Sequence, residues 1–233
     1  MIPDLSQFDV VMFDLNGTFM FGQDRFGSDQ DYFATYRQLG GTRLDSDTIK
    51  SAITETVEEM ARIYDDPQYH DGFPQVSDVL KILATTAFLP EHEQTLISAV
   101  IAEHEIGEIS QTDKAAITQI AQMNRIALVS NIWSPKDLWV DYLQQEGLYD
   151  LFETIVFSSD HICTKPSPKI YQIALDALNV APNRVLFVGD DPVCDIQMPR
   201  SLGMTTARVR GTTQTVPQEA DFVLDSVSDL LIR

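Results

Sequence analysis

The sequence contains little cysteine and little positive charge. Only Cys163 and Cys194 occur among its 233 residues. Two cysteines are too few for a disulfide framework, so we expect two reduced thiols and a cytoplasmic protein. Lysine and arginine number 16 against 35 aspartates and glutamates, which gives a formal net charge of −19. Nucleic acid is therefore not an expected partner, because binding to its phosphates requires many cations.

Long hydrophobic runs, internal repeats and low-complexity segments are also missing. No apolar stretch approaches the roughly 20 residues needed to cross a bilayer, and the first residues lack the basic and apolar regions of a signal peptide. We therefore expect no membrane partner. The chain is still 44% hydrophobic, which is enough for one large domain or for a core domain with a smaller insert. The sequence indicates no oligomeric state.

Four short apolar segments, each followed by polar residues, are typical of strands buried on both faces of a parallel sheet. Helical patterns and two shorter strands alternate with them. This alternation predicts an α/β fold, with a Rossmann-like parallel sheet and helices on both faces. The predicted strands cover residues 10–13, 125–130, 154–158, 184–188, 206–209 and 222–224.

A block of helical spacing interrupts this alternation after the first strand. It extends from about residue 22 to residue 104 and contains no strand pattern. We expect an inserted all-helical cap domain over 19–106 and an α/β core domain over 1–18 and 107–233. Four helices are predicted in the block. The first follows an N-cap at Ser28, the second covers about 46–64, the third covers about 76–86, and the fourth begins at Pro90.

Polar residues stand at the ends of the four buried strands, at the sheet edge where open α/β folds bind ligands. Several carboxylates around one point favour a hard cation, and Mg²⁺ is the obvious candidate. A lysine and hydroxyls beside a nucleophilic carboxylate suit phosphoryl transfer. The residues concerned are, in chain order, Asp14, Ser130, Asn131, Lys165, Asp190 and Asp195.

Four segments of the sequence together form the motifs of a known family. They are Phe13-Asp14-Leu15-Asn16-Gly17-Thr18, Val129-Ser130-Asn131, Thr164-Lys165-Pro166 and Val188-Gly189-Asp190-Asp191-Pro192-Val193-Cys194-Asp195. With these motifs the chain resembles the haloacid dehalogenase superfamily of hydrolases, in its phosphoglycolate-phosphatase-like branch with a helical cap. The resemblance spans essentially the whole chain and follows the family's order of motifs.

The resemblance implies a Mg²⁺-dependent phosphatase that acts on a small phosphorylated metabolite. Asp14 would be the nucleophile that accepts the phosphoryl group, and it would also be a metal ligand. Asn16 would offer its backbone carbonyl to the metal, and Asp190 its carboxylate. Asp195 would support the water shell of the metal.

The resemblance also assigns the phosphate site. Ser130 and the backbone amide of Asn131 would hold the phosphoryl oxygens, and Lys165 would bridge Asp14 and the phosphoryl group. The helical block would close over the site and choose the substrate. Residues 19–21 would form a flexible turn and flap that gates entry.

Asn16 departs from the family pattern. In the phosphatases of the family, a second aspartate at this position protonates the leaving oxygen and then activates water. An amide has no proton to exchange near neutral pH, and loss of such a group costs about a hundred- to ten-thousand-fold in rate. The sequence therefore also allows a weak or inactive protein that binds a phospho-ligand or a protein partner. A third hypothesis is a phosphonate hydrolase that uses a cap lysine, Lys50 or Lys81.

The sequence leaves some neighbouring residues without a role. Trp133 follows Ser130 and Asn131, and it either contacts the substrate or only packs the loop. His161 lies closest to the site among the histidines, but no metal-ligand spacing accompanies it. The sequence does not indicate which metabolite is the substrate.

Overall fold

A parallel sheet lies at the centre of the computed structural model, which describes residues 2–210 and 220–232. Its strands are β1 (Val10–Phe13), β2 (Arg125–Ser130), β3 (Phe152–Phe157), β4 (Val185–Gly189), β5 (Thr205–Val209) and β6 (Phe222–Leu224). Within the described residues the sheet has six strands, in the order β3-β2-β1-β4-β5-β6. The predicted α/β class with a Rossmann-like parallel sheet is confirmed.

The first strand occupies the middle of the sheet. It pairs with β2 on one side and with β4 on the other. Val11 and Phe13 belong to one hydrophobic cluster and Val10 and Met12 to another, so β1 is buried on both faces. The chain adds β2 and β3 on one side of β1, and then β4 to β6 on the other. In open α/β sheets such a reversal creates a crevice at the carboxyl ends of the central strands.

Helices connect the strands. The α-helices are α1 (Tyr32–Gln38), α2 (Ser46–Tyr64), α3 (Val76–Leu80), α4 (Glu91–Glu105), α5 (Gln111–Ala121), α6 (Lys136–Gln145), α7 (Ser158–His161), α8 (Pro168–Leu178) and α9 (Met198–Ser201). A π-helix at Pro192–Gln197 precedes α9. In the part of the chain that the structure describes, no helix is both long enough and apolar enough to span a membrane.

Helices α1 to α4 surround a hydrophobic cluster of their own, separate from the clusters of the sheet. An apolar stripe along α2 supplies Ile49, Ile53 and Met60 to this cluster. Val57 and Tyr64 belong to the same stripe but are only half-buried. The separate cluster supports the proposed cap over residues 19–106, whose bounds remain a prediction.

Two predicted helix boundaries in this block are wrong. Helix α1 begins at Tyr32 because Asp31, rather than Ser28, is its N-cap and accepts a hydrogen bond from the amide of Ala34 at 2.9 Å. Helix α3 ends at Leu80 instead of residue 86. The hydroxyl of Thr86 donates to the carbonyl of Leu80 at 2.6 Å, so this carbonyl already has a partner that does not belong to a continuing helix.

Candidate active site

Asp14 follows β1 directly, at the carboxyl edge of the sheet between β2 and β4. Its carboxylate is buried and has three donors. Lys165 Nζ and Ser130 Oγ donate to Oδ1 at 2.6 Å and 3.0 Å, and Thr18 Oγ1 donates to Oδ2 at 3.1 Å. These bonds fix the direction of the carboxylate, as a nucleophile requires.

Lys165 is buried between two carboxylates. Besides Asp14, its Nζ donates to Asp195 Oδ1 at 2.8 Å. Burial disfavours the ammonium ion, but Asp14 and Asp195 outweigh burial and raise the pKa of Lys165 well above its usual value. The lysine therefore stays charged at neutral pH and compensates part of the negative charge around it.

Three carboxylates converge at this point of the sheet edge. Oxygens of Asp14, Asp190 and Asp195 all lie within 4.8 Å of one another. Burial, with the charge of Asp14, raises the pKa of Asp190 to about 6. One lysine cannot neutralise three carboxylates, so the cluster retains net negative charge.

This donor set fits a hard divalent cation. Carboxylate oxygens are the ligands that Mg²⁺ prefers, and a cation among them would remove the repulsion between Asp14 and Asp190. Beside the cluster, the side-chain oxygen of Asn16 is buried and has no hydrogen-bond partner among the described residues. An aspartate in place of Asn16 would add a fourth carboxylate to the negative charge of the cluster.

Two glycines make room for the acidic cluster. Gly17 adopts a positive φ of 77°, and a Cβ built on it would lie 2.6 Å from a carboxylate oxygen of Asp190. A Cβ on Gly189 would lie 2.4 Å from the Cβ of Asp195. The carboxylates therefore pack directly against backbone that carries no side chain.

Gly189→Ala is expected to displace Asp195, lower the affinity for Mg²⁺ and destabilise the fold by about 1–3 kcal/mol, since overpacking in a filled interior costs this much. The clash includes the Cβ of Asp195, which is anchored to the π-helix and cannot rotate away. Chemical denaturation and calorimetric Mg²⁺ titration measure the two effects.

Gly72→Ala provides the matched control, because a Cβ at Gly72 meets nothing within 4 Å. We expect little change there. Equal stability and equal Mg²⁺ affinity of both variants would contradict the assigned packing.

Asn131 holds the loop that carries Lys165. Its Oδ1 accepts a hydrogen bond from the Lys165 amide at 2.8 Å, and its Nδ2 donates to the Lys165 carbonyl at 3.2 Å. Nδ2 also donates to the hydroxyl of Tyr64, at the end of α2, at 2.9 Å. The side chain thus connects the sheet edge to the helical block, a role that the sequence did not indicate.

A cavity of about 390 Å³ opens over the cluster. The sheet edge contributes one side of it and the helical block the other. Of the predicted site residues, Ser130 does not line this cavity, because it is fully buried behind Asp14. The lining residues are, from the sheet side, Asp14, Asn16, Asn131, Trp133, Lys165, Asp190, Asp191, Cys194 and Asp195, and from the helical side, Gln23, Asp24, Phe26, Val57, Tyr64 and Glu105.

A model of the haloacid dehalogenase-like hydrolase family matches residues 8–203 of the chain. The chain belongs to this family. A glyceraldehyde 3-phosphate phosphatase of Pyrococcus abyssi is 28% identical, over 71% of this chain and 66% of its own length. A phosphoglycolate phosphatase of Vibrio vulnificus is also 28% identical, over 68% of this chain and 67% of its own length. The crystal structure of a haloacid dehalogenase-superfamily phosphatase from Thermococcus onnurineus has a TM-score of 0.65 at 19% identity, with 95% of each chain covered, and shows the same fold.

The segment that was expected to form a flexible flap is mostly core in this member of the family. Phe19 and Met20 are fully buried. The ring of Phe19 lies 6.0 Å from that of Phe13 and 6.4 Å from that of Phe152, between centroids. Only Phe21 is exposed. The expectation is therefore wrong for residues 19 and 20, because the turn after Asp14 carries their side chains into the core of the sheet.

Several other candidates lie away from the cavity. Lys50 and Lys81 are both exposed, and neither lines it. The cap-lysine hypothesis therefore has no lysine of the helical block at the cavity. His161 is exposed and does not line the cavity either. Trp133 does line it, so of its two possible roles contact with a substrate is available.

Glu105 is a site residue that sequence reasoning missed. It is the last residue of α4, and its two oxygens accept the amides of Trp133 at 2.6 Å and Ser134 at 3.0 Å. Burial raises the pKa of Glu105 to about 7. A carboxylate at a helix C-terminus is unfavourable to the helix dipole, and this was the available signal that Glu105 has a role elsewhere.

Proposed function

We propose that the protein is a Mg²⁺-dependent phosphatase that acts on a small phosphorylated metabolite through an aspartyl-phosphate at Asp14. The observation that carries this proposal is the Asp14 carboxylate, held 2.6 Å from Lys165 Nζ at the floor of a cavity. The family membership and the two relatives named as phosphatases support it. The free, buried thiols of Cys163 and Cys194 support a cytoplasmic location.

In the proposed reaction, an oxygen of Asp14 attacks the phosphorus and the bond between phosphorus and the ester oxygen breaks. The organic part leaves with that oxygen, which takes a proton from water when it is an alkoxide and needs none when it is a carboxylate. Water then releases phosphate from Asp14. Lys165 and the backbone amide of Asn131 would hold the phosphoryl oxygens, and Ser130 would keep Asp14 oriented from behind. Thr18 would hold the second oxygen of Asp14.

Asp14, Asp190 and the backbone carbonyl of Asn16 would hold Mg²⁺, and Asp195 would support its water shell. When bound, the ion supplies electrostatic stabilisation of the negative charge on the transferring phosphoryl group. The residues of the chain then have to align Asp14 and exclude water. The proposed cap would exclude water, because its Val57 and Tyr64 line the cavity opposite the carboxylates.

A second candidate function is a catalytically weak or inactive protein that binds a phospho-ligand or a protein partner. Asn16 favours it, because this amide occupies the position from which a carboxyl group would exchange protons. The ion pairs of Lys165 with Asp14 and Asp195 favour the phosphatase, since they hold a cation beside the proposed nucleophile.

Trapping the phosphorylated enzyme tests the proposal. Native protein with Mg²⁺ and acetyl phosphate, whose leaving group needs no proton, is expected to gain one phosphoryl group in intact-mass measurements. The phosphorylated form should accumulate, because Asn16 cannot activate water for its release. Chelation of Mg²⁺ should prevent labelling.

Asp14→Asn should show no label, whereas Asp176→Asn, an exposed carboxylate outside the cavity, should label like the native protein. Labelling of Asp14→Asn would refute the aspartyl-phosphate route. Saturable phosphate binding without label or turnover would instead establish the second candidate.

A further inference from the structure

The wall of the cavity that faces Asp14 is acidic and aromatic. Asp24 and Glu105 contribute two carboxylates to it, and Phe26 and Tyr64 contribute two aromatic rings. The ring of Trp133, from the loop after β2, lies beside that of Tyr64 and completes the aromatic part of the lining. Among the described residues, Lys165 is the only cation that lines the cavity, and both of its neighbouring carboxylates already pair with it. A substrate that places its phosphoryl group at Asp14 must place its organic part against this wall.

The basic residue next to Asp24 is turned away from the cavity. The guanidinium of Arg25 donates to the carbonyl of Gly22 at 3.0 Å, to that of Ile106 at 2.6 Å and to that of Glu103. These bonds link the chain segment that leads from the sheet into the helical block to the segment that leads back to the sheet. Arg25 is therefore committed to the backbone and cannot pair with an anionic substrate group.

The aromatic rings of the cavity favour an uncharged or a positively charged group. The rings of Tyr64 and Trp133 lie 6.0 Å apart between centroids and are tilted by 56°. Such faces attract apolar groups and cations, particularly ammonium groups. An anionic group placed here would lose hydration without gaining a cationic partner among the described residues, and it would be repelled by Asp24.

We infer that the cavity accepts phosphate monoesters whose organic part is uncharged or positively charged, and that it excludes those with a second anionic group. Asp24 is the specificity-determining residue of this selection. Of the two carboxylates of the wall it is the exposed one, whereas Glu105 is buried and both of its oxygens already accept backbone amides. The inference rests on the proposed function, since it assumes that a phosphate ester occupies the cavity.

Three esters of similar size test the inference: 2-aminoethyl phosphate, 2-hydroxyethyl phosphate and phosphoglycolate. Their organic parts carry a positive charge, no charge and a negative charge. We expect kcat/KM of the native protein with Mg²⁺ to be at least about tenfold lower for phosphoglycolate than for 2-hydroxyethyl phosphate. The amine should match or exceed the neutral ester. A rate on phosphoglycolate equal to or above that on the neutral ester overturns the inference.

Asp24→Asn removes the negative charge of this side chain and almost preserves its shape. Asparagine tolerates the positive φ of 56° at this position. We expect it to reduce the discrimination against phosphoglycolate by about fivefold, the size of effect of a partly screened charge. Asp29→Asn is the matched control, because Asp29 is exposed on the same segment and outside the cavity. Unchanged discrimination in Asp24→Asn overturns the assignment to Asp24.

Failure of the proposed function would look different. In that case Asp14→Asn would hydrolyse the three esters as the native protein does, or no ester would be hydrolysed at all. Calorimetric affinities of the three esters, measured with Mg²⁺, then decide the inference without turnover. Tighter binding of the neutral ester and the amine than of phosphoglycolate supports it, and the reverse order or no saturable binding of any ester overturns it.

Discussion

Replacing Asn16 with aspartate is expected to raise the rate of phosphate-ester hydrolysis by about a hundred- to ten-thousand-fold, the usual contribution of a positioned acid and base. Asn16 lies two residues after Asp14 and lines the same cavity, so a carboxyl group there would face both the leaving oxygen and the attacking water. The substitution changes only the side chain, so the backbone carbonyl that is proposed as a metal ligand would be retained. Steady-state kinetics of both proteins with Mg²⁺ measure the gain.

The leaving group provides a second readout. Without an acid at position 16, the native rate should fall steeply as the leaving group becomes more basic, because the departing oxygen receives no proton. Asn16→Asp should flatten this dependence across a series of aryl and alkyl phosphates. Asn179→Asp, an exposed exchange of the same kind at the end of α8, should change neither the rate nor the slope.

The gain must also disappear when Asp14→Asn is added to Asn16→Asp. If Asn16→Asp folds and binds Mg²⁺ but hydrolyses esters no faster than the native protein, then another group already exchanges protons or the site is a binding site. The same result would favour the second candidate function if no phosphorylated enzyme is found.

The strand ends were predictable from the sequence because an apolar run and the residue at which it ends are local features. An apolar run that ends at Asp14 must place this carboxylate at the sheet edge, and the same holds for the polar residues that follow β2 and β4. Parallel pairing then brings residues that are far apart in the chain together. Lys165 and Asp195 were assigned to the site for this reason, although their direct ion pair was not predicted.

The opposite wall was not predictable in this way. Glu105 contacts the amides of Trp133 and Ser134 across a long separation in the chain, and no local pattern encodes such a contact. The same is true of Tyr64, whose spacing on α2 fits the core stripe equally well. Phe19 and Met20 were misplaced because a turn after a catalytic strand and a buried turn have the same apolar composition.

Lys165→Met is expected to destabilise the fold by about 3–5 kcal/mol, because it leaves buried charges without their partner. Lys165 Nζ lies 2.6 Å from Asp14 and 2.8 Å from Asp195, and all three side chains are buried. Hydrolysis should fall to the level of Asp14→Asn, since the cation that would bridge nucleophile and phosphoryl group is lost. Chemical denaturation and steady-state kinetics measure the two losses.

Lys169→Met is the matched control. Lys169 lies four residues further along the chain, in the first turn of α8. Its ion pair with Asp71 at 3.3 Å is exposed, so we expect a loss of less than about 1 kcal/mol. Added Mg²⁺ should stabilise Lys165→Met against denaturant, because a cation that binds only the folded state shifts the equilibrium towards it. This response separates the acidic cluster from a general packing defect, which Mg²⁺ would not repair. Unchanged stability of Lys165→Met would mean that the charges of Asp14 and Asp195 do not depend on the lysine, and the proposed roles of all three residues would have to be abandoned.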